Sequence, residues 1–173
     1  MNITTKIIIS DTNIITDLCN AKLIDSFIEI DNIYISDLIL QDEINSKTGD
    51  VDLIGKIKTL SLSNDQLIEA YQLTDEYKSL STYDCMNYIL ARDNDGILAT
   101  GDKRLISLAN DNNVEIIRTL KIIELMYNHK LITKNKLIKG LDLLTKNDHT
   151  RIPIDDIEQL IKKYTKDYEV NPK

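Results

Sequence analysis

Four carboxylates carry the chemistry this sequence can do: Asp11, Glu43, Asp84 and Asp102. Asp11 follows Ile7-Ile8-Ile9-Ser10, and Asp102 follows Ile97-Leu98-Ala99-Thr100-Gly101. Both apolar runs suit strands buried on two faces, and in open α/β sheets ligands bind in the crevice beyond the carboxyl ends of such strands. Glu43 and Asp84 fall in helices flanking strands of the same sheet. Carboxylates gathered in one crevice repel each other, so a cluster is economical only around a cation. Hard divalent ions take oxygen ligands, and Mg²⁺ typically uses one or two carboxylates with waters and substrate phosphates. Two ions about 4 Å apart, or one ion plus a base, could activate water and stabilise the leaving oxygen in phosphodiester cleavage.

Each acid also has a plainer reading. Asp11 and Asp102 could cap the helices that follow them, and Asp84, three residues after Ser81, could complete a capping box. Glu43 could be an ordinary helix acid. Four such coincidences at equivalent ends of one sheet are harder to accept than one.

The elements that must position these acids follow from periodicity. A strand at 7–9 opens a helix through Ile14, Ile15, Leu18 and Cys19, and helical turns continue over 22–30. A strand at 33–36 precedes a helix over 37–46, on which Glu43 leans toward the apolar face and Asp42 toward water. A loop at 47–50 leads to a strand at 57–62 near an edge of the sheet. Helices follow over 65–77 and 82–91, the second apolar nearly all round. Next come a turn at 93–96, a strand at 97–100, a helix over 103–109 and a last strand at 114–117. Helices over 119–129, 134–145 and 155–166 complete the chain, with Pro153 just ahead of the third, where proline is tolerated. Alternating strands and helices imply an α/β fold with a central, mainly parallel sheet of about five strands and helices on both faces.

With 173 residues, 42% of them hydrophobic, the chain suits one domain, with a core over about 1–130 and a helical extension over about 131–173. No run approaches the roughly 18 apolar residues of a membrane span, and the start is too short in apolar residues for a secretory signal, so a cytoplasmic location is expected. Cys19 and Cys85 lack metal-ligand spacing and are assigned no chemistry. His129 and His149 have no acid-base partner nearby in sequence. The net charge of −7 is unevenly spread: residues 1–117 carry 20 acids and 9 bases, net −11, while residues 118–173 carry 12 bases and 8 acids, net +4. That division permits an acidic metal pocket beside a basic rim, as well as an ordinary solvated helical tail. The apolar residues Ile122, Leu125, Leu137, Ile138 and Leu141 could form core or a dimer or partner surface. Other sites are excluded: no glycine-rich phosphate loop follows the first strand, and residues 91–102 lack the ligand pattern of a calcium loop.

Taken in order, four motifs resemble those of the PIN-domain nucleases, particularly the small prokaryotic members that include VapC-type toxin ribonucleases. They are Ile-Ile-Ile-Ser-Asp11-Thr12-Asn13, the run from Ile35-Ser36-Asp37-Leu38 to Asp42-Glu43-Ile44, Leu80-Ser81-Thr82-Tyr83-Asp84 with Ala91, and Ile97-Leu98-Ala99-Thr100-Gly101-Asp102-Lys103-Arg104-Leu105. The likeness covers about residues 6–118. It implies a PIN-like three-layer fold, one or two Mg²⁺ or Mn²⁺ ions held by Asp11, Glu43, Asp84 and Asp102, and support of those acids by Thr12, Asn13 and Thr100. It implies RNA as substrate, and thus a metal-dependent endoribonuclease, the toxin of a toxin-antitoxin pair, with an antitoxin protein and a second copy of the chain as partners. The acidic first two-thirds and the longer helical tail depart from the family pattern. The rival readings are a non-catalytic PIN-like scaffold or RNA-binding module, and a phosphoacceptor receiver domain. The receiver reading fares poorly, because the third strand ends in Leu62-Ser63-Asn64, without an acceptor Asp.

Overall fold

The first strand, β1 (Ile8–Ser10), has no solvent-exposed residue, and its neighbours explain why. In the computed structural model, which describes residues 2–40, 56–148 and 150–166, β1 lies at the centre of a five-stranded sheet. The strands β2 (Ile33–Ser36), β3 (Lys58–Leu60), β4 (Ile97–Ala99) and β5 (Glu115–Ile117) complete it in the order β3-β2-β1-β4-β5. All four pairings are parallel, with Ile8 opposite both Ile33 and Ile97. The expected edge strand at 57–62 is β3, whose first two residues are exposed.

Period-two alternation sorts the strand side chains into two cores. Ile8, Ile33, Ile35, Ile97, Ala99 and Ile117 face one side, where they join the helices α1 (Thr12–Asn20), α2 (Ile24–Phe27), α7 (Thr119–Asn128), α8 (Lys134–Thr145) and α9 (Ile154–Lys166). Ile9 and Leu98 face the other side with α4 (Asn64–Glu76), α5 (Thr82–Asp93) and α6 (Lys103–Asp111). The result is the three-layer α/β architecture expected from alternating elements. A short helix, α3 (Asp37–Ile39), follows β2, and residues 41–46 of the helix expected over 37–46 lie outside the described residues.

Two local features differ in detail from the periodic reading. The helical turns expected over 22–30 shorten to α2, because Lys22 takes a left-handed φ of 54° and breaks the chain away from α1. The α5 helix runs to Asp93, and Asp95 at φ 46° makes the reversal into β4. Gly96 completes that reversal: a Cβ there would sit 3.1 Å from the Ile7 carbonyl oxygen, a tight approach that glycine accommodates without a shift of its neighbour.

The tail helices belong to the first core. Leu137, Leu141 and Leu144 on α8 and Ile157, Leu160 and Tyr164 on α9 are buried at helical spacing against that layer. Ile122, Leu137 and Leu141 are fully buried, and Leu125 and Ile138 pack half-buried beside them, so these five apolar residues form core rather than an open partner face. No helix among the described residues is long and apolar enough to cross a membrane.

Candidate functional site

The sheet order reverses direction between β1 and β4, and the chain leaves those two strands at Asp11 and Thr100. Crossovers from adjacent strands run to opposite faces at such a point, which opens a crevice at the strand ends. The Asp11 amide donates to the Ala99 carbonyl at 2.9 Å, so the register that pairs the strands also fixes the acid beside Thr100.

Asp11 occupies the position before the first turn of α1, but its side chain makes no capping bond. The carboxylate turns across the crevice instead. Its Oδ2 accepts from the Thr100 hydroxyl at 2.9 Å and from Asn13 Nδ2 at 3.0 Å. The plain capping reading therefore fails for Asp11, which is 5% exposed and the most buried of the three described acids of the set. Burial pushes the Asp11 carboxyl up to about 6 from 3.8; the bonds from Thr100, Asn13 and the Thr12 backbone oppose that rise, and the negative charge of Asp84 adds to it. Thr12 thus acts through its amide, while Asn13 and Thr100 act through side chains.

Thr100 is buried, and its hydroxyl is bonded on both sides. Oγ1 accepts from the Asp102 amide at 3.1 Å while donating to Asp11, which fixes the hydroxyl proton on the Asp11 side and couples the two strand-end acids. Asp102 itself does what a capping residue does: its Oδ1 accepts from the amides of Arg104 at 2.8 Å and Leu105 at 3.2 Å. Asp84 likewise completes a capping box, its Oδ2 accepting from the Ser81 amide and hydroxyl, each at 2.8 Å. The position of Glu43 lies outside the described residues, as do Asp42 and His149.

Among the described residues, no three acidic, histidine or cysteine side chains stand close enough together to hold one metal ion. The physical reason is visible in the caps, since Asp84 and Asp102 each direct an oxygen at the first turn of their own helix. A carboxylate has further lone pairs, and Mg²⁺ needs only one or two carboxylates with waters. Asp11, desolvated and within electrostatic reach of Asp84, is a donor whose burial a cation would compensate. Among the described residues Asp11 is therefore the carboxylate at which a hard cation would be held, with no second ligand brought beside it by this geometry.

Beside this crevice the structure contains a cleft of about 440 Å³, to which Asn13 and Gly101 contribute directly from the acid site. Asp17 lines it from α1 together with Asn13, and Arg118, Lys121 and Arg151 line it from other parts of the chain. Asp17 Oδ2 accepts from the Thr119 hydroxyl at 2.7 Å, and burial raises its pKa against that bond and the nearby Arg151 charge. Motif reading did not single out these residues. A signal existed in Asn13, Thr16, Asp17 and Asn20, a polar stripe at helical spacing along an otherwise apolar α1. Nothing local in the sequence placed Arg151 opposite them. Asn87 on α5, one turn beyond Asp84, and Ser36 at the end of β2 are fully buried with side-chain polar atoms that lack a hydrogen-bond partner among the described residues. Ser36 belongs to the second sequence motif, whereas Asn87 is a polar group that motif reading passed over.

Comparison of the chain with protein-family models, with curated protein sequences and with solved structures finds no match in any of the three.

Proposed function

We propose that this protein is a PIN-type endoribonuclease dependent on Mg²⁺ or Mn²⁺, acting in the cytoplasm as the toxin of a toxin-antitoxin pair. One observation carries the reading. Asp11, at the switch point of a parallel sheet, gives up its helix cap and is held in a buried crevice by Thr100 and Asn13. Burying a carboxyl without a cationic partner costs stability, and such sites concentrate where chemistry requires them. The resemblance of the four motifs to those of the PIN-domain nucleases implies RNA as substrate, and an antitoxin and a second copy of the chain as partners.

In this reading Asp11 is the principal ligand, with Asp84, Asp102 and Glu43 completing the acidic set. A bound Mg²⁺ or Mn²⁺ supplies Lewis-acid stabilisation of the charge that develops on the phosphate oxygens, and lowers the pKa of water. The chain's own residues do the positioning. Thr100 and Asn13 hold Asp11 Oδ2 in one orientation, and the Asp102 amide keeps the Thr100 proton directed at Asp11. The turns after β1 and β4 are thereby tied together by hydrogen bonds.

A second reading, the non-catalytic PIN-like scaffold or RNA-binding module, is favoured by the capping bonds that occupy Asp84 and Asp102. The two readings separate in one assay. A mixed, structured RNA pool is incubated with purified wild type, Asp11→Asn and Asp102→Asn in Mg²⁺, Mn²⁺ or EDTA. Cutting that requires the cation and drops at least 100-fold in Asp11→Asn is the expected result, in keeping with the size of electrostatic contributions at reacting centres. Wild-type protein that neither cuts RNA nor binds the cation would move the reading to the scaffold.

A further inference from the structure

The cleft beside the acid crevice is built from three parts of the chain that converge only in the fold. Asn13 comes from α1, Arg118 to Lys121 from the end of β5 and the start of α7, and Arg151 from the turn before α9. Resting on the nuclease reading of Asp11, we infer that this cleft seats the strand that flanks the scissile linkage, with Arg118, Lys121 and Arg151 taking the neighbouring phosphodiester of a single-stranded RNA.

The cleft sets three cations, Arg118, Lys121 and Arg151, against three carboxylates, Asp17, Glu124 and Asp156, so its character depends on how these are paired. Arg118, Lys121 and Arg151 are exposed, and among the described residues none has a carboxylate at ion-pair distance. Two carboxylates of the same cleft are already engaged. Glu124 accepts from Lys163 Nζ at 2.6 Å and from the Tyr164 hydroxyl at 3.1 Å, and Asp17 accepts from Thr119. Lys163 thus neutralises Glu124, and the three cations face only Asp17, which lies near Arg151, and the exposed Asp156, which leaves the cleft a balance of one positive charge. The first turn of the ten-residue α7 faces the same space, and Arg118 before it makes no side-chain cap, which leaves backbone N–H groups available to phosphate oxygens.

Size and position narrow the occupant. A volume of about 440 Å³ lies within the range of small-ligand sites and suits a nucleotide unit. Leu120 and Ile152 offer apolar contact for a sugar or base face, and no aromatic ring among the described residues lines the cleft, which favours recognition led by phosphate rather than by stacking. Asn13 and Gly101 are common to the cleft and the acid site, so one continuous strand can occupy both. A positive wall beside an acidic centre also draws in an anionic strand that the acids alone would repel.

The test is binding of a 5′-labelled single-stranded RNA, read by fluorescence anisotropy in EDTA, for wild type, the double variant Arg118→Gln/Arg151→Gln and the control Lys22→Gln/Lys139→Gln. The control pair lines a separate cleft at α8, away from the acids. The expected result is that Kd rises at least 10-fold for the arginine pair and less than 2-fold for the lysine pair. The slope of log K against log salt should become shallower by about 0.7 for each phosphate contact removed. An unchanged thermal midpoint verifies that the arginine variant is folded. Equal Kd values for wild type and the arginine variant, or no RNA binding by the wild type at low salt, would overturn the inference. Cleavage assays on the same proteins keep it separate from its premise. If cutting depends on Asp11 while the arginine variant keeps its Kd and KM, the cleft assignment falls and the nuclease reading stands. If the arginine variant loses binding and no protein cuts RNA, the nuclease reading falls and the cleft remains a strand-binding site.

Discussion

Asp11 pays for its position in stability, and the size of that cost can be measured. Its carboxyl rises to about 6 from 3.8, chiefly because burial opposes the charged form. A carboxyl with a raised folded-state pKa contributes stability that is complete below the unfolded value and is lost as pH rises through the folded one. The loss therefore falls between about pH 4 and pH 6, and amounts to about 3 kcal/mol at neutral pH. Asn cannot ionise, yet its side-chain oxygen can still accept from Thr100 and Asn13. In EDTA, Asp11→Asn should be more stable than wild type by up to about 3 kcal/mol at pH 8, with the difference vanishing near pH 3.5. Urea denaturation at the two pH values checks this, and a variant that is less stable at pH 8 would show that the carboxylate is compensated within the fold.

At the scale of elements, the docking of α8 decides whether the tail can contribute Arg151 to the cleft. Gly140 marks the closest approach: a Cβ there would meet Leu23 Cδ1 at 2.9 Å and the Ala21 carbonyl oxygen at 3.1 Å. Two effects compete in Gly140→Ala. Helix propensity favours alanine by about 1 kcal/mol, whereas overpacking against a backbone oxygen that cannot rotate away costs about 1–3 kcal/mol. The clash should win, with a net loss of about 1–2 kcal/mol seen as a lower urea midpoint. A gain in stability would mean that the loop at Ala21 yields easily. The short α2 teaches the same lesson about periodicity. Its apolar residues Ile24 and Phe27 are buried as the pattern requires, but the left-handed turn at Lys22 arises from how α1 must end against the layer beneath it.

For the whole molecule, a cation centred on the acid crevice binds the folded chain and should stabilise it. The increment grows as RT ln(1 + [L]/Kd), about 2.7 kcal/mol at a hundredfold excess over Kd. Mg²⁺ should therefore raise the thermal midpoint of wild type at pH 7.5 and leave Asp11→Asn unmoved. The shift should shrink at pH 5, where a proton competes for the Asp11 carboxyl. Equal shifts in the two proteins would place the cation elsewhere. The charge division has its counterpart at this scale, because two of the three cleft cations, Arg118 and Lys121, open the basic tail segment and Arg151 lies further along it.

The sequence by itself determined the layers and the strand-end acids. Runs such as Ile7-Ile8-Ile9 and Ile97-Leu98-Ala99 bury on both faces wherever they sit in a parallel sheet, and a polar residue directly after each must emerge at the carboxyl end. The caps at Asp84 and Asp102 were equally legible, being set by spacings of three residues or fewer. Only the tertiary structure decided that Asp11 would not cap. That outcome depends on Thr100 lying across the crevice, 89 residues away in sequence, through the β1–β4 register. The cleft is likewise a product of the fold, since its cations meet Asn13 only after α8 and α9 pack against the first core. Short-range patterns specify what a local segment prefers, whereas the partner of a buried polar group is chosen by whichever distant segment the packing brings to it.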